Sequence, residues 1–224
     1  MNSFFRNKKI LITAGPTYEP IDPVRFIGNR SSGKMGYAIA SELAERGAEV
    51  ILVSGPVQIS IEHSNIELIK VSTAEEMFNM CQKYFHQTDI AILAAAVADY
   101  KPVNVFTSKM KKTDNHMTIE LEKTKDILFS LGQVKSENQL LIGFSLETDN
   151  ELENSRKKLF GKNCDFIVMN SLREKGASFG TDTNKITILD KSGSIVDFPV
   201  KNKTEVASDI CNYIISYFEK MNNS

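Results

Sequence analysis

Apolar residues in this chain gather into short, nearly continuous runs separated by stretches with helical spacing. The runs Lys9–Thr13, Glu49–Ser54, Ile66–Lys70, Asp89–Ala94, Gln139–Phe144 and Phe166–Met169 are rich in Ile, Leu and Val, as strands covered on both faces are. Between them, Gly33–Arg46, Thr73–Tyr84, Lys125–Lys135 and Asn150–Phe160 carry the period of amphipathic helices. Gly47 and Gly161 predict the ends of the first and last of these, because glycine closes helices in the left-handed conformation. Ser72 or Thr73, with Glu75 and Glu76 in the next turn, predicts the start of the second. Regular alternation of strand and helix implies a parallel sheet between two helical layers.

The tail breaks that rhythm. Lys185–Asp190, a turn at Lys191-Ser-Gly-Ser194 and Ser194–Pro199 read as a hairpin, and Lys203–Lys220 as a terminal helix. No internal repeat, low-complexity segment or linker interrupts the chain, so residues 1–224 are expected to form one domain. The expected fold is α/β, a Rossmann-like three-layer arrangement with a mostly parallel central sheet plus a C-terminal hairpin and helix. Ala98–Lys112 fits neither period. It leaves a strand as Ala94-Ala-Ala-Val-Ala-Asp99-Tyr-Lys-Pro102, small residues where open α/β sheets bind ligands. It then becomes basic at Ser108-Lys-Met-Lys-Lys112, so residues 101–116 are expected to be a flexible basic arm.

A chain of 224 residues with 42% hydrophobic content can bury a full core without staples. Its formal net charge of −1 makes any positive site local, which argues against a nucleic-acid partner. Three scattered cysteines, Cys81, Cys164 and Cys211, form no CxxC pair and fit a reducing compartment. Met1–Lys9 lacks a signal-like apolar stretch, and no run approaches the ~18 apolar residues of a spanning helix. A cytoplasmic protein with no membrane segment is expected.

The first strand runs into Ala14-Gly-Pro-Thr-Tyr-Glu-Pro-Ile-Asp-Pro-Val-Arg-Phe-Ile-Gly-Asn-Arg-Ser-Ser-Gly-Lys-Met-Gly36. A bare dinucleotide turn needs only a few residues; here roughly twenty intervene before the helix, and long ordered loops are usually functional. A mere surface connector would leave Arg25, Asn29 and Ser31-Ser-Gly-Lys34 unexplained, the first two without evident partners. Gly28–Lys34 has Walker A spacing, but Met35 stands where that loop needs Ser or Thr, and Pro23–Ile27 separates it from the strand. A phosphate at the helix start near Gly33 and Gly36 fits better. The oxidoreductase fingerprint is also missing, since Ala14-Gly-Pro-Thr17 replaces the glycine pattern and the second strand ends in Val53-Ser-Gly-Pro56. Lysines cluster at Lys109, Lys111 and Lys112, at Lys123 and Lys125, and at Lys157, Lys158 and Lys162. Each cluster alone reads as a solvated face; together, after strand ends, they suit a polyphosphate. Phe144, leaving a strand in Gly143-Phe-Ser-Leu-Glu-Thr148, reads as core or as a cover for a base, and the three histidines form no catalytic pattern.

Together with Lys125-Asp126 and Asp165-Phe-Ile-Val-Met-Asn170, these motifs resemble the phosphopantothenate–cysteine ligase family from about Lys8 to Tyr217. The resemblance implies amide formation between 4'-phosphopantothenate and L-cysteine through an acyl-cytidylate, with release of pyrophosphate and CMP, in coenzyme A biosynthesis. CTP would be co-substrate and Mg²⁺ would accompany it. Lys8 begins the motif with nothing ahead of it, which implies the free-standing bacterial form and a separate decarboxylase. By resemblance, Asn29 contacts phosphopantothenate and the intermediate, and Arg25 reaches the neighbouring site of a homodimer. Ala95, Ala96 and Asp99 line the substrate, and Lys109 closes over the triphosphate. Gly15, Ser31, Gly33 and Gly36 would cradle phosphate, with Ala94, Asp99, Lys125, Asp126, Phe144, Lys158 and Lys162 completing the nucleotide site. A nucleotide-binding oxidoreductase and a non-catalytic nucleotide sensor remain the alternatives from other classes.

Overall fold

The computed structural model describes residues 3–111, 116–146, 149–170 and 182–222. Lys112, Glu147 and Thr148 of the motifs above lie outside them. A 3₁₀ turn at Ser3–Phe5 leads into β1 (Lys9–Ala14), followed by an antiparallel hairpin of β2 (Tyr18–Pro20) and β3 (Phe26–Gly28). Next come α1 (Lys34–Glu45), β4 (Glu49–Ser54), β5 (Ile66–Lys70), α2 (Ala74–Phe85) and β6 (Ile90–Leu93). A second hairpin joins β7 (Tyr100–Pro102) to β8 (Leu121–Lys123). Then follow α3 (Ile127–Val134), β9 (Leu140–Leu146), α4 (Glu151–Gly161) and β10 (Phe166–Asn170). The chain finishes with β11 (Thr183–Asn184), β12 (Ile186–Asp190), β13 (Ile195–Asp197), β14 (Lys201–Asn202) and α5 (Lys203–Asn222).

The main sheet has eight strands in the order β13-β12-β10-β9-β6-β1-β4-β5. All neighbours from β10 to β5 are parallel, and β12 and β13 add an antiparallel edge. Starting from β1, the chain builds outward to β5, then returns to β6 on the other side and builds outward again. That reversal opens a crevice beyond the carboxyl ends of β1 and β6.

Side chains alternate across the sheet with the period of two that strands impose. Ile10 and Ile12 pack with Ile39, Leu43, Ile210 and Ile214 of α1 and α5, whereas Leu11 between them packs with Met77, Leu131 and Leu159 of α2, α3 and α4. Both cores are built mainly from apolar side chains, which is why the strands were legible as continuous hydrophobic runs.

The sequence patterns differ from the structure in three places. Gly161 does not close α4 in the left-handed conformation: it is the last helical residue, and the left-handed residue beyond it is Asn163 at φ 53°. Asparagine tolerates that conformation because its short amide bonds locally, and Asn163 Nδ2 donates to the Gly132 carbonyl at 2.9 Å. α3 begins at Ile127, with Asp126 as its cap rather than inside it. The two three-residue hairpins were invisible because neither is long enough to show alternation, and β2 packs beside β7. The second helix starts as expected, Thr73 and Glu76 forming a reciprocal capping box.

Candidate functional site

Two clefts flank the segment that leaves β6. The first, of about 570 Å³, is lined by Asn29–Gly36, Ala94–Val97, Asp99, Phe144–Leu146, Lys158, Asn170, Asn184 and Lys203. The second, of about 700 Å³, is lined by Thr13, Leu93, Tyr100, Lys123–Leu128 and Lys162, and shares Ala95, Val97, Asp99, Phe144 and Lys158 with the first. Ala95, Val97 and Asp99 thus form a ridge with a cleft on either side. Small side chains matter here because they leave backbone amides and carbonyls reachable from both.

Thr17 and Asn29 hold that ridge. The Ala98 N–H donates to Thr17 Oγ1 at 2.9 Å, and Asn29 Nδ2 donates to the carbonyls of Ala96 and Val97 at 3.3 and 2.9 Å. Asn29 is therefore not without a partner, as its sequence context implied; its amide nitrogen anchors the ridge. Thr13 Oγ1 accepts from Ala95 N–H at 3.2 Å and Thr124 Oγ1 donates to the Ala98 carbonyl at 2.6 Å, so β1 and the segment before α3 brace the same loop.

The helix α1 opens into the first cleft. Its N-cap, Gly33, is left-handed at φ 74°, and no side chain caps the first turn. A Cβ at Gly33 would lie 2.8 Å from Val57 Cγ1, so both the conformation and the space demand glycine. The amides of Lys34, Met35 and Gly36 are left for a ligand, and the helix end favours an anion. Lys34 Nζ pairs with Asp182 at 2.5 Å. Lys203 is held below the usual lysine range by burial first and by the Lys34 charge second, with Asp182 opposing.

The second cleft is basic but internally balanced. Lys125 Nζ pairs with Glu75 at 2.7 Å and lies 4.6 Å above the Phe78 ring. Asp126 accepts the Phe129 N–H as the α3 cap and also pairs with Lys162. Lys158 Nζ donates to the Phe144 carbonyl at 2.7 Å, tying α4 to the end of β9. Among the described residues, no three His, Cys, Asp or Glu side chains gather to hold a metal.

Of the residues singled out from the sequence, Asn29, Ser31, Gly33, Gly36, Ala94, Ala95, Ala96, Asp99, Phe144 and Lys158 meet on the first cleft. Lys125, Asp126 and Lys162 meet on the second. Gly15, Arg25 and Lys109 line neither. Gly15 is buried at φ 74°, where a Cβ would press on Val57 and the Gly55 carbonyl, and its own carbonyl accepts the Ala96 N–H of the ridge at 2.9 Å. Arg25, which also looked partnerless, is bound by Asp22. Asn184 and Lys203 were not foreseen. Asn184 Nδ2 donates to Asn170 Oδ1 at 2.9 Å, a contact made only when β11 and β10 meet. Asn170 had a legible signal, since it sits at the carboxyl end of a parallel strand.

A helix N-terminus and a two-sided ridge at the reversal point define a doubly wound α/β domain of the class whose ligands sit beyond the strand ends. Residues 5–218 match the family described as DNA/pantothenate metabolism flavoprotein C-terminal domain, and the chain belongs to that family. It is 47% identical over 207 residues to the coenzyme A biosynthesis bifunctional protein CoaBC of Bacillus subtilis (strain 168), across 92% of this chain and 51% of that protein. It is 50% identical over 224 residues to a protein of an unknown prokaryotic organism named cysteine/cysteine sulfinic acid decarboxylase, across 96% of this chain and 62% of that one. The crystal structure of the C-terminal domain of CoaBC matches with a TM-score of 0.83 at 42% identity, covering 98% of this chain and all of that one. The chain thus spans roughly half to three fifths of the length of these curated relatives. Among the described residues, no helix is long and apolar enough to cross a membrane.

Proposed function

We propose that this chain joins 4'-phosphopantothenate to L-cysteine at the expense of CTP, in coenzyme A biosynthesis. The observation that carries the reading is the ridge at Ala95–Asp99, which places two clefts against one backbone segment. A reaction in two halves needs such an arrangement, because the acyl nucleotide formed from one pair of substrates must stay in place while the third arrives. In the first half the substrate carboxylate attacks the α-phosphorus of CTP, and the bond to pyrophosphate breaks. In the second the cysteine amine attacks the acyl carbon, the bond to CMP breaks, and the amine loses a proton.

Free amides at the start of α1 would hold phosphate oxygens, and Ser31 sits beside them. Lys158 and Lys162 would balance charge, and Phe144 would cover the base. Asn29 would set the ridge carbonyls and present its remaining oxygen to the intermediate. Arg25 lies outside both clefts of its own chain, which suits a role at the neighbouring site of a homodimer. Lys109 on the arm would close over the triphosphate. The described residues offer Mg²⁺ no carboxylate cage, so the ion would travel on nucleotide oxygens and water. A decarboxylase would consume the product.

Pyrophosphate release tests this reading. It should require phosphopantothenate, proceed with CTP in preference to ATP, and be followed by CMP formation when cysteine is added. Tight NADPH binding without CTP binding would favour an oxidoreductase instead. Nucleotide binding with no turnover would favour a sensor.

A further inference from the structure

Asp22, in the turn between β2 and β3, is a surface-loop carboxylate with no exposed side-chain area. Oδ1 accepts from the backbone N–H of Val24 and of Arg25, both at 2.9 Å. Oδ2 accepts from Arg25 Nε at 2.9 Å, from Arg25 Nη2, and from the Met110 N–H at 3.2 Å. The Arg25 guanidinium holds this carboxyl well below the ordinary range, with the three backbone amides assisting. Arg25 Nη2 also donates to the Met110 carbonyl at 3.2 Å, and the Phe106 N–H reaches the Ile21 carbonyl at 2.9 Å.

The two oxygens therefore do different things. Oδ1 makes a local turn of the kind aspartate forms anywhere. Oδ2 gathers a guanidinium and a backbone amide from a segment 88 positions further along the chain, which no turn requires. Met110 is gripped at both its N–H and its carbonyl by the Asp22–Arg25 pair, and Lys109 is its chain neighbour.

We infer that Asp22 is a positioning residue that sets the Arg25 guanidinium and the Lys109 arm together through one buried carboxylate. This rests on the ligase reading for what Arg25 and Lys109 do. Through Asp22, the group offered to the acidic substrate and the group offered to the triphosphate are placed relative to each other before either ligand binds. Replacing Asp22 by Asn keeps an acceptor for the turn and puts a neutral, partly donating amide against donors, releasing Arg25 and Met110 alike.

The experiment combines three readouts on the full chain. Without substrates, Asp22→Asn should speed trypsin cleavage after Lys109 and Lys111 by about tenfold or more, because opening then lacks its strongest restraint. In turnover, Asp22→Asn should raise the KM for phosphopantothenate by about tenfold, yet change it less than about twofold in an Arg25→Gln background. Hydrogen exchange on the unmodified protein needs no variant, and the Met110 amide should exchange at least about tenfold more slowly than those of Lys109 and Lys111. Equal exchange at the three amides, unchanged cleavage, or independent effects of the two substitutions would each overturn the inference. Cleavage and exchange need no substrate, so a chain that makes no amide product sinks the ligase reading while the clasp is still judged.

Discussion

Two glycine-to-alanine substitutions should move this protein in opposite directions. A Cβ at Gly36, in the first turn of α1, would lie 2.6 Å from Ala14 Cβ and 3.2 Å from Ala14 Cα and the Thr13 carbonyl oxygen. Relaxed carbon contacts lie near 3.5–4.0 Å, so the first turn must recede from β1 by about 1 Å. The neighbours are backbone and a methyl, which cannot swing aside. Overpacking of this kind costs about 1–3 kcal/mol, and alanine's helical advantage offsets at most about 1 kcal/mol. A net loss of about 1–2 kcal/mol lowers the melting temperature of a chain this size by roughly 2–8 °C.

At Gly161, the last residue of α4, an added Cβ meets nothing within 4 Å and the backbone is already helical. Gly161→Ala should therefore stabilise by about 0.5–1 kcal/mol. Calorimetric melting separates the two variants, and titration with CTP adds the functional half. Because the turn displaced by Gly36→Ala opens into the first cleft, CTP affinity should fall by about 10–100-fold, the usual penalty for a misplacement near 1 Å. Melting shifts of the same sign, or a Gly36→Ala protein with unchanged CTP affinity, would refute the reasoning.

Asn29→Ala removes both donors to the ridge carbonyls, so it should slow amide formation more than nucleotide activation, and rapid-quench analysis should show acyl nucleotide accumulating. Lys135 Nζ donates to both oxygens of nearly buried Asp165, at 2.6 and 2.7 Å. Lys135→Met should then cost about 3–5 kcal/mol in urea unfolding, and a loss under about 1 kcal/mol would show that Lys191, 3.7 Å from Asp165, suffices alone. Burial pushes the thiols of Cys81, Cys164 and Cys211 each up to about 12. Folded thiols thus keep their protons while unfolded ones ionise near ~8.5, so their stability contribution is full below that pH and is lost as pH rises toward 12. At pH 8, a disulfide reagent should titrate almost no thiol in the native protein and all three in denaturant.

The layout of this molecule was written locally. The central strands of the parallel sheet are buried on both faces, so every side chain in Ile10–Thr13 or Leu140–Ile142 had to be apolar or small, and a run of such residues is visible without neighbours. Helices announced themselves by period and by caps such as Thr73 and Glu76. The glycine-bounded start of α1 was legible too, since Gly33 and Gly36 answer to conformation and close approach, which depend on nearby chain.

Tertiary structure alone decided who meets whom. Asn29 looked partnerless because the Ala96 and Val97 carbonyls lie 67 and 68 positions away, and Arg25, paired with Asp22 three positions before it, gave no sign of the Met110 carbonyl 85 positions further on. Lys125 and Lys162 read as ligand cations, yet each is also half of an ion pair with another element. Gly15 lines neither cleft, and its contact with the ridge, the Ala96 N–H on its carbonyl, spans 81 positions. In each case the deciding quantity is distance in space, which chain pattern does not encode because the connection runs through loops of no fixed period. Hydrophobic burial, by contrast, acts on every residue of an element at once, so sequence could specify the sheet and its helices but not the clasp, the ridge or the second cleft.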